Sequence, residues 1–372
     1  MKFADVIGQE NVKTLLRREV EENRVPHAML FTGPEGCGKL SMAAAFANFL
    51  LCRQPENGEP CGHCPSCRQI AGMGHPDFHF SFPFIKKSDS TTSETYISEW
   101  KSLIADGYYF GLADWLEAAG NGTKQAVITD GEACRILDQL SVASYEGGYK
   151  VMIIWLPERM NPSAANTLLK MLEEPAPQTV FILVSNDTST LLSTILSRTQ
   201  LVEFPRLTNE DITEALTERR GLERSSAMEV ARVSGGSYLN ALKYITSGNA
   251  DDTYFDVFVS LMRLAYGRDV RGLKKWSEDM AAWTREKQKN FLTYGQNMLR
   301  ENFMYNFHQP DLNFMTEREA GFAHNFARFI NERNIIGFTE IFTQAQKDIE
   351  QNVNGKTVFF DFALKVIVLI RR

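Results

Sequence analysis

Residues 1–205 read as an α/β unit, a parallel sheet with helices on both faces, and the rest of the chain reads as helix. Three observations carry this. Short apolar runs of strand length alternate with helical patterns over the first two hundred residues, the rhythm of parallel strands joined by crossover helices. The first run, 28–32, leads into Gly33-Pro-Glu-Gly36-Cys37-Gly38-Lys39-Leu40, a glycine-rich turn of the phosphate-binding kind, which belongs between a strand and a helix N-terminus. From Arg206 onward strand signals fade and helix caps take over.

In chain order, strands are expected at 28–32, 78–84, 150–155, 180–185 and 201–204. A helix over 41–52 follows the glycine-rich loop, as that geometry requires. Another starts at Asn161-Pro162, an N-cap followed by proline at the first helical position, and stops before Pro175. Residues 86–122 begin rich in Ser and Thr and then turn aromatic, with Trp100, Tyr108, Tyr109, Phe110 and Trp115. They read as an insertion with some helix of its own and carry no recognisable chemistry. Thr208-Asn-Glu-Asp211 opens a helix with acids in its first turn, and Gly235-Gly-Ser237 punctuates a second helix pair, so 206–248 read as a small helical domain. After a linker at 247–252, residues 249–372 form a last helical block. Its apolar residues Phe255, Phe258, Leu261, Met262 and Ala265 recur at helical spacing, for packing within the block or against equivalent helices of partner subunits.

At 372 residues, 44% hydrophobic and 23% charged, the chain has the composition of a soluble protein of two or three domains. The N-terminus lacks a signal-peptide core and no run reaches the roughly 20 apolar residues of a membrane span, so the cytoplasm is the expected location and no membrane is an expected partner. Net charge of −6 gives no chain-wide basic footprint for nucleic acid.

Four of the six cysteines fall in one stretch: Cys52, then Cys61-Gly-His-Cys64-Pro-Ser-Cys67. Two successive C-x-x-C steps wrap a tetrahedral ion, and Cys52 closes the set from the end of the preceding helix. The metal expected is zinc, in a closed structural site without an open catalytic position. His63 stands beside the set as a substitute for one thiolate. Cys37 and Cys134 are isolated.

The loop itself lacks a group that hydrolysis needs. The phosphate-loop pattern asks for Ser or Thr directly after its Lys, because that hydroxyl ligates the magnesium of the nucleotide; here the residue is Leu40. Ser41 is one residue late, a rotation of about 100° on a helix. The strand at 150–155 should end in acids that organise magnesium and activate water, yet it ends in Trp155-Leu156, and Glu158 lies beyond it. Both departures remove the same metal, so hydrolysis by this chain alone is not expected. Gly33, Gly36, Gly38 and Lys39 persist, and binding of ATP or ADP by the degenerate loop stays open.

At this point the residues carry a resemblance. Phe3-Ala-Asp-Val-Ile-Gly-Gln-Glu10, Pro26-His-Ala-Met-Leu-Phe-Thr-Gly33, the four-cysteine module, Glu146-Gly-Gly-Tyr-Lys-Val151, Asn166-Thr-Leu-Leu-Lys-Met-Leu-Glu-Glu-Pro175 and Leu196-Ser-Arg198 together resemble the bacterial clamp-loader AAA+ family. Matching motifs span 1–84 and 126–248. The C-terminal block matches only as helix in the place of that family's collar domain, and the insertion departs from the family's compact form. The resemblance places zinc at Cys52, Cys61, Cys64 and Cys67. It implies that Arg198, in Ser197-Arg198-Thr199, projects into a neighbouring subunit's ATP site as an arginine finger. Active relatives carry an arginine after Gly-Gly-Ser-x that senses ATP in the same chain, and here Leu239 stands there. Every lost group acts on the chain's own nucleotide, whereas Arg198 acts on a neighbour's.

The implied role is a non-hydrolysing subunit of a hetero-oligomeric ring, which helps load a sliding clamp on primed DNA. Its implied partners are ATPase subunits of the gamma/tau type, a delta-type subunit, the clamp and primed DNA. Two other readings stand beside it: a self-sufficient ATPase with Ser41 and Glu158 as unusual metal ligands, and a zinc module that reads nucleic acid, around which only Arg53 and Arg68 are cationic.

Overall fold

Five strands form one parallel sheet: β1 (Ala28–Thr32), β2 (Phe78–Ser81), β3 (Lys150–Trp155), β4 (Thr179–Ser185) and β5 (Gln200–Glu203), in the order β2-β3-β4-β1-β5. This is a computed structural model, and it describes residues 1–372 apart from 89, 121–124, 143, 146, 248–249, 309–312, 352 and 372. Glu146 of the quoted motif, Gly122 at the end of the insertion, and Gly248 and Asn249 of the expected linker therefore lie outside the described residues. The chain divides into two units, Met1–Leu242 and Lys243–Arg372.

β3 and β4 are buried along their whole length, because helices cover both faces of the sheet; this is why they read as continuous apolar runs. Alternate residues serve opposite cores, as the two-residue period of a strand dictates. Met29, Phe31, Val151, Ile153, Val180 and Ile182 face one core with helix α2, while Leu30, Met152, Ile154, Phe181 and Leu183 face another with helices α6 and α7. The helices of this α/β part are α1 (Glu10–Glu21), α2 (Lys39–Leu51), α3 (Pro65–Ala71), α4 (Ile97–Asp106), α5 (Leu112–Ala118), α6 (Asp130–Ser141), α7 (Pro162–Glu173) and α8 (Ser193–Leu196). The Asn161 side chain accepts from the Ala164 amide at 2.8 Å, which caps α7 as its sequence predicts.

One strand is shorter than expected. β2 ends at Ser81 rather than running to Phe84, since Pro83 has no N–H to give a ladder. Phe82 and Phe84 instead turn fully into the core, and Phe84 keeps only an isolated bridge to Val127. α2 also begins two residues early, at Lys39, directly after Gly38 in the left-handed conformation.

The insertion folds as α4 and α5 and joins the core of the sheet. Trp100 stacks on Phe82 at 4.0 Å between ring centres and meets Trp115 and Trp155 at 5.2 and 5.3 Å. Trp115 is fully buried and its indole N–H donates to the Pro83 carbonyl at 2.7 Å. Ser93 and Arg135 both donate to the buried Glu132 carboxylate, which ties the start of the insertion to α6. Removing so large a buried ring leaves a cavity. Trp115→Ala is expected to lower the stability of the protein by about 3–5 kcal/mol, read as a shift of the urea midpoint.

Three helices follow the sheet: α9 (Asn209–Arg220), α10 (Arg224–Val233) and α11 (Tyr238–Ser247). Thr208 and Asp211 cap α9 reciprocally, each accepting from the other's backbone amide. The second unit contains α12 (Ala250–Gly267), α13 (Val270–Ala281), α14 (Arg285–Tyr305), α15 (Glu317–Phe326), α16 (Ile335–Glu350) and α17 (Gly355–Leu369). The stripe Phe255, Phe258, Leu261, Met262 and Ala265 is buried within this unit, with Phe291, Phe338, Phe342 and Phe359 around the same core. No described helix is long and apolar enough to cross a membrane.

Candidate functional site

The glycine-rich turn joins β1 to α2 as its sequence requires, with Gly33, Gly36 and Gly38 all at positive φ. Gly36 has no room for a side chain: a Cβ there would stand 2.1 Å from the Ser237 hydroxyl. Lys39 does not reach outward. Its ammonium group donates to the loop's own carbonyls, Gly33 at 2.7 Å and Pro34 at 2.6 Å, and the residue is 5% exposed. Burial lowers its pKa, opposed by Cys37, Glu35 and Glu158 nearby.

The four residues at the places where own-site chemistry would sit are apolar and buried. Leu40 is 5% exposed, Trp155 and Leu156 are 4% and 3%, and Leu239 is 4%. Trp155 is covered by Trp100 and Phe110 of the insertion. Glu158 lies in a short turn after β3, accepts from the Asn186 amide at 3.1 Å, and burial raises its pKa. Ser41 is fully buried beside the Tyr109 phenol. The Glu158 carboxylate nevertheless lies close enough to the loop to act on the Lys39 charge.

The cysteine set does converge. Cys52 caps the end of α2, Cys64 begins α3, and the sulfurs of Cys52, Cys61, Cys64 and Cys67 all lie within 4.8 Å of one another. Sulfurs held by one tetrahedral zinc are about 3.8 Å apart, as Zn–S bonds of about 2.3 Å require. Cys52 and Cys61 are 3.6 Å apart and Cys61 and Cys67 are 3.9 Å apart. The amides of Cys61, Cys64 and Cys67 point at the sulfurs of Cys52, Cys61 and Cys64, at 3.3–3.4 Å, which favours thiolates. These residues fit a metal. His63 is exposed, turned to the Cys61 carbonyl, and stands outside the set. The module is pinned to the N-terminus: Glu59 accepts from the Phe3 amide at 2.8 Å and pairs with Arg17 at 2.6 Å.

Arg198 follows α8, close to the start of β5. Its guanidinium pairs with Glu173 at 2.6 Å and donates to the Thr194 carbonyl at 3.0 Å. Both members of the pair are partly exposed, at 34% and 48%.

Sequence reasoning missed Tyr109 and Glu173. The aromatic run 108–110 was legible as unusual, but only tertiary structure brings Tyr109 onto the loop, where its hydroxyl accepts from the Ile7 amide at 3.0 Å. Glu173 ends α7 within the quoted 166–175 motif, and no sequence signal pairs it with Arg198.

The family described as DNA polymerase III, delta subunit matches residues 8–208, more than half of the chain. The delta' subunit of DNA polymerase III from Pseudomonas aeruginosa is 32% identical over 58% of this chain and 54% of its own length. That of Bacillus subtilis is 30% identical over 57% and 52%. The gamma/tau subunit from Mycobacterium tuberculosis is 30% identical over 67% of this chain and only 38% of its own length. The chain thus spans between about a third and a half of these relatives. A glycine-rich loop on a parallel sheet, in a chain matched over more than half its length to one family, places the chain in the DNA polymerase III clamp-loader family.

Proposed function

We propose that this chain is a non-hydrolysing, delta-prime-type subunit of a replicative clamp loader. It helps place a sliding clamp on primed DNA within a ring of gamma/tau-type and delta-type subunits, and donates Arg198 in trans to a neighbour's ATP site. One observation carries the reading: the positions that would serve the chain's own nucleotide, Leu40, Trp155, Leu156 and Leu239, are apolar and buried, whereas Arg198 is held by a partly exposed ion pair. A developing negative charge on a neighbour's γ-phosphate is the partner that a guanidinium of this kind stabilises. Three segments carry the parts: 1–205 the AAA+ core, 206–248 a small helical lid, and 249–372 the oligomerising collar. Zinc, held by Cys52, Cys61, Cys64 and Cys67, would be structural and would supply cross-linking of the module rather than chemistry.

The reading is tested by co-purification with clamp-loader ATPase subunits and turnover with and without this chain. Stable assembly and DNA-stimulated turnover that depends on this chain are expected; failure to assemble would overturn the proposal. The purified chain alone is expected to show background hydrolysis. Leu40→Thr restores one missing hydroxyl but leaves Trp155 and Leu156 in place of acids, so it too is expected to stay at background in a phosphate-release assay. Turnover gained by that single change would revive the self-sufficient ATPase.

A further inference from the structure

The insertion at 86–122 has a place in the nucleotide cleft. We propose that its Tyr109–Gly111 segment is a built-in occupant of that cleft, which fills the approach to the phosphate loop and closes it to adenine nucleotides. This rests on reading the loop as a relic nucleotide site.

Three contacts support it. A phosphate reaches such a loop through its backbone amides and the first turn of the following helix. The Tyr109 hydroxyl lies over that point: a Cβ on Gly38, the residue that caps α2, would be 3.0 Å from it. The same hydroxyl accepts from the Ile7 amide at 3.0 Å, which ties the segment to the N-terminal part of the chain. The Tyr109 ring packs edge-on against Tyr238 at 4.9 Å, which closes the gap between the insertion and the start of α11.

The next two residues extend the plug. Phe110 packs against Trp155 at 5.4 Å, over the end of β3 where metal-organising acids would stand. Gly111 is pressed between two side chains: a Cβ there would be 2.6 Å from the Glu35 carboxylate and 3.2 Å from Leu239. The Tyr238 amide donates to the Gly36 carbonyl at 3.0 Å. Lys39, whose task in a working loop is to hold phosphate oxygens, already spends two hydrogen bonds on Gly33 and Pro34. Burial also pushes the Tyr109 phenol up to about 12, so the group that faces the loop stays a neutral hydroxyl.

A nucleotide must displace this tethered segment, and its apparent affinity falls with the fraction of molecules in which the cleft is open. The test is titration of the full chain with mant-ADP and mant-ATP, with magnesium, followed by fluorescence and by thermal shift. The wild-type chain is expected to show no saturable binding below about 1 mM. Tyr109→Ala is expected to bind about a hundredfold more tightly or better, and Lys39→Ala in that background is expected to abolish the gain. Tyr109→Val takes its place if the alanine variant is unfolded by circular dichroism. Micromolar, Lys39-dependent binding by the wild-type chain would overturn the proposal. So would a folded Tyr109 variant that remains silent. Wild-type binding without hydrolysis would leave the finger-donor reading standing, because that reading is decided by Arg198 and assembly.

Discussion

In a reconstituted complex, Arg198→Ala is expected to leave assembly intact and to slow ATP turnover at the adjoining subunit's site by about a thousandfold or more, the scale of a trans-acting arginine. In this structure the guanidinium is held by Glu173 and the Thr194 carbonyl, and an exposed ion pair of this kind contributes about 0–1 kcal/mol. A thousandfold rate effect corresponds to about 4 kcal/mol of transition-state stabilisation. On the proposed reading, Arg198 would give up little in leaving Glu173 for a neighbour's γ-phosphate. Glu173→Ala is expected to leave that turnover unchanged or slightly raised. Arg198→Lys is expected to fall well short of wild type, because an ammonium lacks the planar fork of donors. Single-turnover hydrolysis with a complex in which only the adjoining site is active isolates the effect. Unchanged turnover in Arg198→Ala would remove the assignment.

The second large effect concerns the four cysteines. Stripping metal with a chelator, or Cys64→Ser, is expected to lower the melting temperature by about 10 °C or more, since a structural zinc supplies folding free energy that is lost with it. The reason for so large an expectation lies in what the module holds. Cys52 terminates α2, the helix behind the glycine-rich loop, and Cys64 starts α3. Glu59, between the two, ties the module to Phe3 and Arg17. Loss of the cross-link would release all three attachments together. Cys134→Ser is the control, because Cys134 is exposed and outside the set. Metal content by elemental analysis and the melting curve decide it. A wild-type chain purified without metal, melting as Cys64→Ser does, would refute the zinc assignment.

Much of the α/β part was legible because local chemistry and tertiary role agree there. Asn161-Pro162 reads as a helix start and is one; Thr208 and Asp211 read as a cap and exchange the expected hydrogen bonds. The cysteine spacing was legible for a related reason, since C-x-x-C confines two sulfurs to one turn whatever surrounds them. β2 was read too long because alternation at 78–84 continues past the point where Pro83 stops pairing. Of the insertion only its helical content was legible, and α4 and α5 bear that out. Its Trp100, Tyr109, Phe110 and Trp115 follow no helical or strand period, and what they touch is set by Phe82, Trp155 and Tyr238 from distant parts of the chain. The pairing of Arg198 with Glu173, 25 residues apart, was hidden in the same way.

The close seat of Ser237 and Tyr238 on Gly36 has one more consequence. Protein atoms make this contact directly, so the link between the loop and the start of α11 is formed at folding and does not wait for a bound ligand. It should therefore be the same at every ratio of ATP to ADP in the cell. A bound nucleotide would therefore find this contact already made, and could not draw the start of α11 onto the loop.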